Sequence, residues 1–201
     1  MSPTEKFTYQ ALESRTKALA TALGFRDKST LEHSDRVQTM ATELAKAAGL
    51  SEDDISALRI SSKFHDIGKI GIPDRILMKP GSLDKDDWKM MHQHPIIGEQ
   101  IVLSTELDGA SQTAHIIRHH HEHFDGGGYP DKISGEAIPV GARIISIVDS
   151  YDAMAYTRAY HEGRSHRDII NTIETESGTK HDPLLVKYFC RIIERSNSRV
   201  E

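Results

Sequence analysis

Two short stretches of this chain concentrate side chains that bind metal ions. From His120 to Pro130 the sequence reads His-His-Glu-His-Phe-Asp-Gly-Gly-Gly-Tyr-Pro, which places adjacent imidazoles, two carboxylates and a glycine-rich turn within eleven residues. Fifty-five residues upstream stands His65-Asp66-Ile67-Gly68-Lys69. Imidazole and carboxylate donors with a lone ammonium nearby are equipment for metal-assisted chemistry on a phosphate. The chain has twelve histidines, and five of them (His115, His119, His120, His121, His123) fall in nine residues. They are internal, interrupted and mixed with Glu122 and Asp125, unlike a purification tag.

The candidate ligands are His33, His65, Asp66, His94, His120, His121 and Asp149. On a helix, adjacent His65 and Asp66 would project about 100° apart, so one can serve one ion while the carboxylate bridges to a second. His120 and His121 can reach a single ion from a helix end. This donor set suits iron, manganese or zinc better than calcium or magnesium. A single cysteine, Cys190, argues against a structural zinc site and excludes an internal disulfide. Burying so many imidazoles and carboxylates without a metal would carry a large desolvation cost. His115, His119, His123, His161, His166 and His181 read as ordinary surface or core histidines.

These residues must be held by helices. Helical periodicity is expected over 5–23 with Gly24 as a stop, over 30–48, and from a Ser51 cap down to Gly68. The 71–81 stretch reads as loop, broken by Pro73 and Pro80. Ser82 or Asp84 caps a helix through Trp88 and His92, which Pro95 kinks or restarts. Further helices are expected over 110–121, 139–156, from a Ser165 cap to Gly178, and over 183–196. Ile144 to Val148 has strand-like composition, but Asp149, Asp152 and Ala153 continue a 3.6-residue period. The expected fold is all-α: a single helical bundle domain with a Gly-rich loop, and no internal repeat.

The length of 201 residues and an apolar fraction of 37% allow a proper core. A net charge of −5 excludes a general nucleic-acid binder, so no DNA partner is expected. It leaves room for a small anionic ligand, because bound metals supply local positive charge. No signal peptide and no membrane span are evident, and a cytoplasmic protein is expected.

Four runs occur in order: HDIGKIGIPDRIL (His65 to Leu77), KPGSLDKDDW (Lys79 to Trp88), HHEHFDGGGYP (His120 to Pro130) and ARIISIVDSYDAM (Ala142 to Met154). On these the chain resembles the HD-GYP phosphodiesterases, a branch of the HD metal-hydrolase superfamily, from about Thr30 to Ile193. The resemblance implies an HD-type bundle at 29–196, a helical extension at 1–28 and a short tail at 197–201. It implies a cyclic di-GMP phosphodiesterase that uses a hydroxide bridging two divalent metals to release pGpG or, on further cleavage, GMP. The metals would be iron or manganese, with zinc, nickel or cobalt also compatible. One ion would take His33, His65 and Asp149, the other His94, His120 and His121, with Asp66 between them. Asp66 and Lys69 are the implied catalytic residues; Lys69, Arg158 and Tyr129 are the implied substrate contacts.

Some positions depart from the family pattern. Ser29 stands where a glutamate for a third metal can occur, which leaves two. Arg158-Ala159-Tyr160 replaces Arg-Pro-Tyr, His161 stands where a basic residue can follow, and His181-Asp182-Pro183 replaces Phe-Asp-Pro. The changes at Ala159 and His161 keep open a low-activity cyclic di-GMP sensor or adaptor acting through the GYP loop, on a partner such as a diguanylate cyclase domain. Because Lys69 and the GYP loop do not tell guanine from adenine, a hydrolase of another cyclic dinucleotide such as cyclic GMP-AMP also stays open. The glycines at 126–128 read as a mobile loop that gates the site or docks a partner. Trp88 is expected in the core, and Tyr151 and Tyr156 are candidates to stack on a base.

Overall fold

The computed structural model describes residues 3–26, 28–156 and 164–200, with side chains described at 9, 11–25, 32–156 and 164–200. Its elements are α1 (Pro3–Arg26), α2 (Lys28–Ala47), α3 (Glu52–Phe64), a 3-10 turn (Ile67–Gly71), α4 (Asp74–Leu77), α5 (Lys85–Met91), α6 (His94–Leu103), α7 (Ala110–His119), a second 3-10 turn (Gly135–Ala137), α8 (Val140–Ala155), α9 (His166–Thr175) and α10 (Pro183–Ile193). Strands are absent among the described residues, apart from an isolated bridge between Ser177 and His181.

Sequence chemistry sets several helix ends. Ser51 accepts from the Asp54 N–H, and Glu52, Asp53 and Asp54 fill the positive first turn of α3. Asp84 and Asp87 form a reciprocal capping box on α5. Ser165 caps α9, and Asp182 caps α10 with Pro183 at its start. Pro95 restarts the chain as α6 instead of kinking a longer helix.

Other ends differ from expectation. α1 runs past Gly24 to Arg26, because a helix-interior glycine costs only about 1 kcal/mol and does not break a helix held by packing. The 71–81 loop contains one helical turn, α4, which buries Ile76. α7 ends at His119 and α9 at Thr175, earlier than their patterns suggest.

Two apolar clusters make the core. The larger joins Val37, Met40 and Leu44 of α2, Leu58 of α3, Ile144, Ile145, Ile147 and Val148 of α8 and Phe189 of α10. The smaller joins Leu12 of α1, Ile60 and Phe64 of α3, Val102 of α6 and Ile117 of α7. α3 belongs to both, with Ile55, Ala57 and Leu58 in the larger and Ile60 and Phe64 in the smaller. A fully buried Ile or Phe side chain contributes roughly 1.5–3 kcal/mol, so Ile60 and Phe64 anchor the end of α3 in the smaller cluster.

The tightest approach lies just beyond that end. A Cβ on Gly68 would collide with the His94 carbonyl and come within 2.6 Å of the Gly98 amide. A Cβ on Gly98 would in turn meet Ile117 at 2.9 Å. Only glycines let the 3-10 turn lie against the start of α6, which carries His94. Gly68→Ala is expected to destabilise the fold by about 1–3 kcal/mol or more, since overpacking against backbone has no flexible side chain to relieve it. Denaturant unfolding of the variant checks this.

Candidate metal centre

Each candidate ligand sits where an element begins, ends or faces another. α3 stops at Phe64, so His65 and Asp66 lie at its junction with the 3-10 turn instead of inside a helix. His94 opens α6, and His120 and His121 follow the end of α7. His33 on α2 faces Asp149 on α8. His33, His65, Asp66, His94 and His120 are buried; His121 and Asp149 are only partly so. These last two open on a cavity of about 220 Å³, also lined by Ser146, Ser150 and Lys180.

Backbone carbonyls set the histidine tautomers. The Nδ1–H of His65 donates to the Ser62 carbonyl (2.7 Å), that of His94 to Met91 (2.8 Å) and that of His120 to Ile117 (2.6 Å). A neutral imidazole bonded this way carries only a lone pair on Nε2. His94 Nε2 and His120 Nε2 nevertheless lie 3.3 Å apart. Two lone pairs cannot hydrogen-bond; a shared cation satisfies both. Burial first, then the neighbouring histidines, lowers His120 to about 3, and burial lowers His94 to about 4, so both are neutral donors at pH 7. Burial and His120 also push His121 well down.

The ligand atoms fall into two groups that could each hold an ion: His33, His65 and Asp149, and His94, His120 and His121. Asp66 lies between them. Its Oδ2 is 3.5 Å from His65 Nε2 and its Oδ1 is 3.4 Å from His94 Nε2. Burial would raise its carboxyl, but Lys69, His65 and His94 hold it well below the usual carboxylate range. Lys69 Nζ donates to Asp66 Oδ2 at 2.7 Å. The geometry and the oxygen–nitrogen chemistry of these donors fit a pair of borderline divalent metals.

A further layer was missed by sequence reasoning. Asp152 Oδ2 accepts from His33 Nδ1 at 2.7 Å, and Arg36 grips Asp152 through Nε (2.6 Å) and Nη2 (2.9 Å). Arg36 also lies 3.8 Å over the Tyr156 ring. His33/Arg36 on α2 and Asp149/Asp152 on α8 are both i,i+3 pairs, so each helix offers one ligand and one support on the same face. That spacing was the available signal. Burial pulls His33 down, but Asp149 and Asp152 outweigh it and raise the imidazole to about 9.

The glycine-rich loop is tied down rather than free. Glu122 Oε1 accepts from the Asp131 amide (2.6 Å) and the Lys132 amide (3.0 Å). Asp125 N donates to the Thr179 carbonyl (2.8 Å), and His119 Nε2 and Arg118 both hold Asp131. A Cβ on Gly128 would collide with His123 N and the Glu122 Cα region, so this glycine serves close packing. Tyr129 stacks between His92 (3.8 Å) and His121 (4.9 Å), and burial first, then Asp66 and Asp149, raises its phenol.

Three aromatic expectations need correction or limits. Trp88 is 48% exposed instead of buried. Tyr151 is fully buried, bonded to His166 and the Val200 amide, and cannot stack on a base. Tyr156 is taken by Arg36. Arg158, Ala159, Tyr160 and His161, and the Ser29 side chain, lie outside the described residues.

An all-helical bundle with a split His/Asp centre and one carboxylate between the halves defines an HD-type domain. The chain belongs to the HD domain family, whose model matches residues 17–185, and its motifs place it in the HD-GYP branch. It is 36% identical over 173 residues to the cyclic di-GMP phosphodiesterase response regulator RpfG of Xanthomonas campestris, covering 86% of this chain and 46% of that protein. It is 34% identical over 169 residues to the 3'3'-cGAMP-specific phosphodiesterase 2 of Vibrio cholerae, covering 84% of this chain and 32% of that protein. The chain thus spans less than half the length of these relatives. Among solved structures, an HDG"Y"P protein from Bdellovibrio bacteriovorus superposes with a TM-score of 0.67 at 18% identity, over 94% of this chain and 63% of that one. No described helix is long and apolar enough to cross a membrane.

Two outcomes are expected. Asp152→Asn should weaken metal affinity by about 10–100-fold, as loss of a histidine's orienting carboxylate does, measured by competition with a chelating dye. Below about 9 His33 carries a proton that a metal must displace. Manganese uptake at pH 7 should therefore release about one proton, and affinity should rise with pH and level off above that value. Calorimetry in buffers of different ionisation enthalpy checks this.

Proposed function

We propose that the chain is a metal-dependent phosphodiesterase that opens cyclic di-GMP to pGpG, with GMP as a later product. The observation that carries this reading is Asp66, whose two carboxylate oxygens face different ligand groups. The first ion is assigned to His33, His65 and Asp149, and the second to His94, His120 and His121. Iron or manganese is the preferred metal at both positions. Divalent cations bound there would lower the pKa of a water toward ~7 and neutralise charge on the phosphoryl oxygens.

The chain's own residues do the rest. The carbonyls of Ser62, Met91 and Ile117 fix three imidazoles with Nε2 forward, so no reorganisation is needed when substrate arrives. Asp66 stays ionised because Lys69 and the histidines favour its charged form. Lys69 leaves a fixed positive charge beside the position a phosphate would occupy, where it counters charge growing on the equatorial oxygens. Tyr129 packs on His121 and helps hold that ring in place. Arg158 is assigned to the substrate phosphate from the motif alone.

Cyclic GMP-AMP is the second substrate candidate, favoured by the similarity to a cGAMP-specific relative at nearly the same identity. Anaerobically purified protein, analysed for metal and then incubated with each dinucleotide, decides between them by product chromatography. Linear products from cyclic di-GMP are expected; no hydrolysis of either dinucleotide at full metal occupancy would refute the enzyme reading. Asp66→Ala should lose metal from both positions and reduce turnover by at least 10³-fold, on the order of what removing a central electrostatic group costs. Retained activity in that variant would rule out the assigned centre.

A further inference from the structure

Four aromatic rings form a continuous ladder from the metal centre to the surface. His121 contacts Tyr129 at 4.9 Å and 31°; Tyr129 stacks on His92 at 3.8 Å and 14°. His92 then contacts Trp88 at 5.6 Å and 50°. Trp88 and His92 are i and i+4 at the end of α5, so the helix itself holds them on one side. The inner rings are partly buried, whereas the indole is 48% exposed. The exposed indole is thus the outer end of a series of ring contacts whose inner end is a candidate ligand.

Charge near the indole narrows what could lie there. Lys79 is paired with Asp84 and Asp87, and Lys89 with Asp86 at 2.8 Å. Lys79 and Lys89 are thus already matched, and beside them the indole offers a π face. A purine ring has the flat polarisable face that such a surface takes.

We propose that Trp88 is a base-stacking platform, on which one purine of the bound cyclic dinucleotide lies while its phosphate is at the metal centre. This rests on the proposed phosphodiesterase reading and adds a residue to it. Stacking does not read base edges, so Trp88 sets affinity for guanine and adenine alike. Discrimination between cyclic di-GMP and cyclic GMP-AMP must then come from other groups.

Trp88 is the chain's only tryptophan, so its emission reports this position alone. The metal-loaded protein is titrated with a hydrolysis-resistant phosphorothioate analogue of cyclic di-GMP, followed in parallel by tryptophan fluorescence and calorimetry. A saturable change in emission with the calorimetric Kd is expected. Trp88→Leu, which keeps an apolar side chain but removes the π face, should raise KM by roughly 5–100-fold for both dinucleotides, with a smaller effect on kcat. Trp88→Phe should restore much of that loss. Calorimetric binding with unchanged emission, or Trp88→Leu kinetics equal to wild type, would overturn the platform and leave the phosphodiesterase reading standing. Absence of calorimetric binding by either dinucleotide would overturn both.

Discussion

His94 and His120 face each other through ring nitrogens that both present lone pairs, 3.3 Å apart and out of water. Neither can donate to the other, because each has committed its one N–H to a backbone carbonyl. Such an arrangement is unfavourable on its own and becomes favourable only around a cation. His33 and His65 also bring their Nε2 atoms within 3.3 Å, though here His33, lowered by burial but raised to about 9 by Asp149 and Asp152, carries a proton that a metal would displace. Asp66 ties the two halves together, with one oxygen toward each. The helices are arranged around this concentration of acceptors.

Packing and chemistry meet at the end of α3. Both apolar clusters hold that helix, the larger through Ile55 and Leu58 and the smaller through Ile60 and, in the last turn, Phe64. Placing His65 and Asp66 just beyond it gives them a rigid base, while the 3-10 turn allows them to diverge toward different groups. Gly68 then lets α6 approach closely enough to bring His94 in. The second half needs no such contact: α2 and α8 pack side by side, and Asp152 with Arg36 orients His33.

The glycine-rich loop has a structural role before any other. Its buried Glu122 and the Arg118–Asp131–His119 group hold it against the domain. Held in this way, the loop can place Tyr129 against His121 and His92, and so connect the metal centre to an exposed ring on α5. A free loop would lose that stack on each opening.

Much of the fold was readable, because amphipathic periods and caps are local signals. Ser51, Asp84, Ser165 and Asp182 each announce a helix through chemistry confined to a few residues. Candidate donors stood out too, since the His-Asp and His-His pairs lie in ordered motifs that resemble one family, and the fold brings six of them into two groups that could each hold an ion. Residues whose role depends on a distant partner were not readable. Asp152 looks like any helical aspartate until α2 lies across it, and Trp88 looks like core until α5 is seen on the surface with His92 and Tyr129 behind it. Tyr151 failed the other way, as a motif neighbour that the bundle buries. Sequence by itself determined which groups could bind metal and which helices would carry them. Only the tertiary structure decided that Asp152 and Arg36 orient His33 and that aromatic rings lead outward from His121, because hydrogen bonds and ring faces acquire meaning only when distant segments bring them within a few ångströms.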